Sequence, residues 1–149
     1  AHNFDWVESI DRLKIAERLS AQRLELPEVL PLQVCVQVNI SNEESKSGVI
    51  IEEAAELCDA VAQLPGLTLR GLMAIPAPST DPVEQRAACA KMKALFVQIQ
   101  QARLDDRGYA YFDTLSMGMS DDLEAAIAEG STLVRVGTAI FGQRPAAKD

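Results

Sequence analysis

Two short segments hold most of the chemistry this sequence could do. Ser116-Met117-Gly118-Met119-Ser120-Asp121-Asp122 joins the end of an apolar run to the start of a helical pattern. Gly118 there would let backbone come close to a ligand. The Ser120 hydroxyl would point across a helix start, where free N–H groups face an anion. A plain Ser N-cap, with Asp121 and Asp122 complementing the helix dipole, accounts for the same residues. Arg135-Val136-Gly137-Thr138-Ala139-Ile140-Phe141-Gly142 repeats the arrangement. A strand ends, Gly137 permits close approach, and a short helical turn begins at Thr138. Two anion nests in this order suit a phosphate. Neither is a G-x-G-x-x-G or Walker motif, so nothing points to a nucleotide.

Arg135 belongs near the C-terminal end of its strand. It stays protonated, so it could donate to a ring nitrogen without giving up its own proton. A salt bridge to Asp113 on the neighbouring strand is the other use open to it. Lys46 lies in the polar loop Asn39–Gly48 and reads as a solvated charge. Lys14, Lys91, Lys93 and Lys148 lie on helices or in the tail, and none is on a strand. The pairs Asp121/Asp122 and Glu52/Glu53 sit at helix starts, where dipole complement explains them better than glycosidase chemistry. His2 is the single histidine. A His-centred triad is therefore not expected, and a His-rich metal site is excluded.

Cys35, Cys58 and Cys89 are far apart in apolar contexts, which fits buried thiols in a reducing cytosol rather than a disulfide framework or zinc site. Lys plus Arg is 14 and Asp plus Glu is 22, a net charge of −8. That balance repels phosphate backbones, so no nucleic-acid partner is expected. The Leu32–Ile40 run contains Gln33 and Gln37 and is too short to cross a bilayer. No basic-then-apolar signal peptide opens the chain. The expected location is cytoplasmic, with no membrane partner.

These residues need elements to position them, and the 149 residues suffice for one domain. Phe4–Ile10 reads as a strand. Asp11 caps a helix to about Leu24, with Leu13, Ile15, Ala16 and Leu19 on its apolar face. Leu32–Ile40 alternates and is Val-rich, so it is a strand. A helix follows over 51–63, stopped by Pro65-Gly66. Leu67–Met73 is the third strand, followed by the Pro76 and Pro78 loop. Pro82 opens a long helix to about Leu104, burying Met92, Leu95, Phe96 and Ile99. Tyr111–Leu115 is the fourth strand. Ser120 caps a helix over 121–128, which Gly130 ends. Thr132–Val136 is the fifth strand, and a helical turn runs through Phe141. Strict β/α alternation means a parallel sheet with right-handed crossovers. An open doubly wound sheet and a β/α barrel both fit. A barrel needs eight units and about 250 residues, so this chain would be a piece of one.

The segments that carry a specific resemblance are His2-Asn3-Phe4-Asp5-Trp6, Asp11-Arg12-Leu13-Lys14, Val38–Ser41 with Ser45–Gly48, Gly71–Pro76, Ser116–Asp122 and Arg135–Gly142. In order and spacing they resemble the pyridoxal-phosphate homeostasis family over essentially the whole chain. That resemblance implies an α/β fold: a partial β/α (TIM-type) barrel like the alanine racemase N-terminal domain. Five parallel strands alternating with helices would be the last five of eight units. Residues 1–149 would be a single partial domain.

The implied function is pyridoxal 5′-phosphate binding in intracellular vitamin B6 homeostasis, with no catalytic turnover. A racemase-like enzyme and a phosphate-binding interaction module are the alternatives. The resemblance places the cofactor phosphate between Ser116, Gly118 and Ser120 on one loop and Gly137 and Thr138 on the other. Arg135 would face the pyridine nitrogen. The family's Schiff-base lysine lies in a V-S-K-type segment on an early strand. That segment and the later G-E-N-type motif have no counterpart here, so the chain is expected to begin near the fourth barrel strand. The full-length form is expected to be a monomer. The isolated piece, with inward Val7 and Val134 uncovered, is expected to self-associate.

Overall fold

The computed structural model describes residues 3–26, 29–43 and 47–142. His2, Ser45, Lys46 and Lys148 lie outside the described residues. Strands β1 (Trp6–Ile10), β2 (Leu32–Val38), β3 (Leu67–Ala74) and β4 (Thr114–Ser116) form one sheet in sequential order, each pair parallel. Helices α1 (Leu13–Leu24), α2 (Ile51–Ala62) and α3 (Pro82–Gln101) connect them. Two short helices follow, α4 (Leu123–Ala128) and α5 (Thr138–Phe141). No helix among the described residues is long and apolar enough to cross a membrane.

The core lies between the helices and one face of the sheet. Val34, Val36 and Val38 of β2 join Leu69, Leu72 and Ala74 of β3, with Leu115 and Met117 beside them. From α3 come Cys89, Met92, Leu95, Phe96 and Ile99. Fully burying a large aliphatic side chain stabilises by roughly 1.5–3 kcal/mol, so this side carries the fold. β2 is buried on nearly all its length, because it lies between β1 and β3 with helices packed on one face and side chains of the curled sheet crowding the other.

The opposite face is polar and concave, and one hydrogen bond proves the curvature. The Ser116 hydroxyl on β4 donates to Glu8 Oε2 on β1 at 2.6 Å. A flat sheet would hold those strands about 14 Å apart, three spacings of roughly 4.8 Å, beyond the reach of Glu and Ser side chains together. The sheet is therefore curled like part of a barrel wall. Gly71 permits the curl. It has φ +154°, and a Cβ there would lie 1.7 Å from the Thr114 carbonyl oxygen. The two strands touch where only glycine fits.

Several local expectations need correction. Four strands form the sheet, not five: Thr132–Val136 makes one bridge, Leu133 to Ser116. Gly118 turns the chain at φ +99°, so Arg135 N–H donates to the Gly118 carbonyl at 3.0 Å instead of extending a ladder. β1 starts at Trp6, leaving Phe4 exposed. Asp11 does not cap α1. Arg12 holds that position, and the Asp11 carboxylate binds its guanidinium instead. Leu13 is partly exposed, while Ser20 and Arg23 are buried because Pro65, Leu30 and Phe4 carbonyls accept their hydrogen bonds. Tyr111 lies in a turn, and Tyr109 ends a 3₁₀ turn packed on Phe112. Val7 packs toward the helices, not the concave face. The cap of α3 is Asp81, whose side chain accepts from Val83 N–H at 2.8 Å, with Pro82 in the first turn.

Candidate functional site

Parallel strands gather the loops after β2, β3 and β4 at one edge. Ser41 Oγ accepts from the Ala77 N–H at 2.8 Å, joining the first two loops. The loop after β4 turns at Gly118, where a Cβ would meet the Ala126 Cβ at 2.6 Å. Close packing of α4 against the loop therefore demands glycine.

The structure brings the two glycine-bearing loops together. Arg135 N–H binds the Gly118 carbonyl, and Ala139 N–H at the start of α5 donates to Ser120 Oγ at 3.3 Å. Ser120 thus serves α5, not α4. Asp122 occupies the N-cap position of α4 without a side-chain cap, and its carboxylate instead accepts from Met119 N–H in the preceding loop at 2.7 Å. Gly137 precedes Thr138 at the start of α5, and a Cβ built on it meets nothing within 4 Å. Open space therefore lies above this turn. Ser116 is fully buried, with its hydroxyl on Glu8.

Arg135 does not pair with Asp113, whose carboxylate is taken by Arg70. Its Nη2 donates to the Ala74 carbonyl at 2.8 Å, and Nη1 lies 3.5 Å from Met73 Sδ. Its Nε is buried with no partner, alone in this among the buried side-chain polar atoms of the described residues. Leaving such a donor unsatisfied costs about 1–3 kcal/mol.

Glu8 escaped the reading of the sequence. Alternation along β1 places it on the face opposite Val7, but its partner is 108 residues away and is reached only because the sheet curls. Cys35, on the same face, is pushed up by burial first and by the Glu8 charge second. Cys58 and Cys89 are buried too, raised chiefly by desolvation to about 12 and about 11. All three are free thiols held inert by burial. A groove of about 850 Å³ opens on the outer side of the loop, between Pro76–Thr80 and Met119–Asp122. Gly137 and Arg135 do not line it. No cluster among the described residues could hold a metal ion.

A curled parallel sheet with helices outside, and loops and a half-buried arginine at its C-terminal edge, defines a β/α-barrel wall built to present one edge. The chain belongs to the family described as alanine racemase, N-terminal domain, whose model matches residues 1–145. It is 54% identical to the pyridoxal phosphate homeostasis protein of Escherichia coli over 149 residues, covering 99% of this chain and 60% of that protein. Among solved structures, PipY of Synechococcus elongatus with PLP bound superposes with a TM-score of 0.81 at 32% identity, covering 95% of this chain and 62% of that one. An unknown protein from Bifidobacterium adolescentis gives a TM-score of 0.83 at 38% identity, covering 92% and 53%. The chain spans about 60% of the length of the curated relatives it matches.

Proposed function

We propose that this chain carries the phosphate and ring-nitrogen contacts of a pyridoxal 5′-phosphate-binding protein that serves vitamin B6 homeostasis inside the cell, without catalytic turnover. The carrying observation is the orphaned Nε of Arg135, beside the junction of the Gly118 loop and the Gly137 turn. The residues present fit the group. A Cβ built on Gly137 meets nothing within 4 Å, which leaves room for a phosphate; Ser120 lies beside the same turn, and Gly118 and Thr138 would complete the cradle. Ser116 contributes through Glu8 rather than by donating to the phosphate. The chain would supply the C-terminal units of the barrel, with Leu133 marking where a fifth strand joins.

When bound, the pyridine ring supplies an electron sink for amine chemistry. Arg135 would donate to the ring nitrogen and hold it unprotonated, because guanidinium does not give up its proton. That weakens the sink and suits a carrier. A racemase-like turnover would need an acid–base pair at the edge. Tyr109 does not serve: its hydroxyl donates to Asp59 at 2.6 Å, and burial first and that bond second push it well above the ordinary range. Binding of the free cofactor, a small phosphorylated partner, needs neither nucleic acid nor membrane. The buried thiols suit the cytoplasm.

The test is titration of pyridoxal 5′-phosphate and pyridoxal against the complete protein and its Gly137→Asp variant. A carboxylate placed in the open space should weaken the phosphorylated form about tenfold or more, with pyridoxal changing less than about twofold. Equal losses, or no loss, would overturn the cradle.

A further inference from the structure

We propose that the groove between residues 76–80 and 119–122 is a docking surface for a partner protein, which enters it with a short segment carrying basic residues beside aliphatic ones. None of the cradle residues lines this groove. Both of its walls come from consecutive units, and β3, which leads into the first, is paired on both edges. The groove is therefore formed whole within the described residues, away from the β1 edge of the sheet.

The groove is built before any partner arrives. Pro76, Pro78 and Pro82 restrict the backbone of one wall, and Ser41 Oγ accepts the Ala77 N–H at 2.8 Å. Gln85 crosses to the other wall. Its Nε2 donates to the Ser79 carbonyl at 2.7 Å and to the Asp121 carbonyl at 3.2 Å. Arg86 binds Glu129 at 2.6 Å, which ties α3 to the end of α4. A surface held in this way spends little binding energy on ordering itself.

Its chemistry selects the partner. Ile75, Pro78 and Met119 present exposed apolar surface in a space of about 850 Å³. Methionine adapts readily to varied aliphatic groups. Asp121 and Asp122 line the same space, and no Lys, Arg or His does. Exposed Asp81 and Glu84 continue the negative charge along the start of α3. Carboxylates beside an apolar floor are complementary to a cationic head on an aliphatic stem, as Arg and Lys supply. The same charges repel a phosphate backbone or an anionic lipid surface.

The test uses the complete protein with Thr80→Cys, a thiol at the wall of the groove. Cys35, Cys58 and Cys89 are buried, so this variant should take up a maleimide fluorophore about tenfold faster or more than the unsubstituted protein. No difference in labelling would mean that the groove is covered in the complete protein, and the docking surface falls. The labelled protein is then titrated with the blocked peptide Ala-Leu-Arg-Leu-Arg-Ala and with two relatives of it. One has Glu for Arg, the other Ser for Leu. The first peptide should bind about tenfold tighter or more than either relative. Asp121→Lys should remove its advantage over the Glu peptide. Asp105→Lys, beyond the far end of α3 and about 30 Å along that helix, should change its affinity less than about twofold. Equal losses from the two substitutions would show diffuse attraction to an acidic protein and overturn the groove. So would no binding of the first peptide, or equal binding of the Ser peptide.

Discussion

Arg70 and Arg135 share the same side-chain chemistry and opposite circumstances. Arg70, partly exposed, is saturated. Its Nη2 reaches both Asp113 oxygens at 2.8 and 2.9 Å, its Nη1 reaches Gln33, and the guanidinium lies 4.7 Å from the Trp6 ring centroid. Arg135 is tied at one end to Ala74 and Met73 and has a buried N–H with nothing to bind. The first arrangement is complete without a ligand and tethers β1–β3 to the stretch before β4. The second is incomplete as it stands. Every guanidinium nitrogen of Arg70 has a partner that helps hold the fold, whereas Arg135 keeps a buried Nε without one among the described residues.

The comparison depends on the curl that puts both arginines on a shared face. Gly71→Ala should have the largest effect, because its Cβ would overlap the Thr114 carbonyl at a φ that side chains avoid. We expect a loss of about 4 kcal/mol in urea unfolding, or failure to fold. Wild-type stability in that variant would mean that β3 and β4 need no glycine contact.

The arginine pair gives a sharper break. Arg135→Met should reduce pyridoxal 5′-phosphate affinity about tenfold or more, with stability within about 0.5 kcal/mol, because it also removes the unsatisfied donor. Arg70→Met should do the reverse, lowering stability by about 1–2 kcal/mol and leaving affinity unchanged. Matching effects from the two variants would erase the distinction between them.

The smallest effect concerns acid. Asp59 on α2 is held below its ordinary value of 3.8 chiefly by the Arg103 guanidinium, helped by the Tyr109 hydroxyl. A carboxylate depressed in the folded state adds stability above its unfolded pKa and loses it as pH falls through the folded value. Asp59→Asn should therefore cost about 0.5 kcal/mol at pH 7, since the pair is half exposed, and the gap to wild type should close below about pH 4. Thermal melts from pH 7 to pH 2.5 would check this, and a gap that widens in acid would contradict it.

Much of the architecture was legible in the chain because the patterns behind it are local. Val34, Val36 and Val38 alternate, Met92, Leu95, Phe96 and Ile99 recur on one helical face, and Pro65-Gly66 stops α2. These periodicities and breakers gave parallel β/α units, and the family resemblance added their sequential order around a barrel wall. They also placed Gly118, Ser120, Gly137 and Thr138 at one edge. The misses involve competition between partners. Ser120 suits the N-cap of α4, but its hydroxyl accepts the Ala139 N–H of α5 instead, and α4 begins at Leu123 without a side-chain cap. Thr132–Val136 looked like a strand, but β4 is three residues long and Gly118 bends it away before a ladder can extend.

The sequence by itself determined the alternation of elements, the inward faces of the helices and the two glycine-bearing loops, because each depends on residues within a turn or two of one another. Only the tertiary structure decided that Arg70 is paired at every guanidinium nitrogen while Arg135 keeps a buried Nε without a partner among the described residues, and that Glu8 meets Ser116. Those outcomes depend on a sheet curled enough to bring its first and fourth strands within a hydrogen bond, and curvature arises from the close contact of Gly71 with Thr114, which no local pattern encodes.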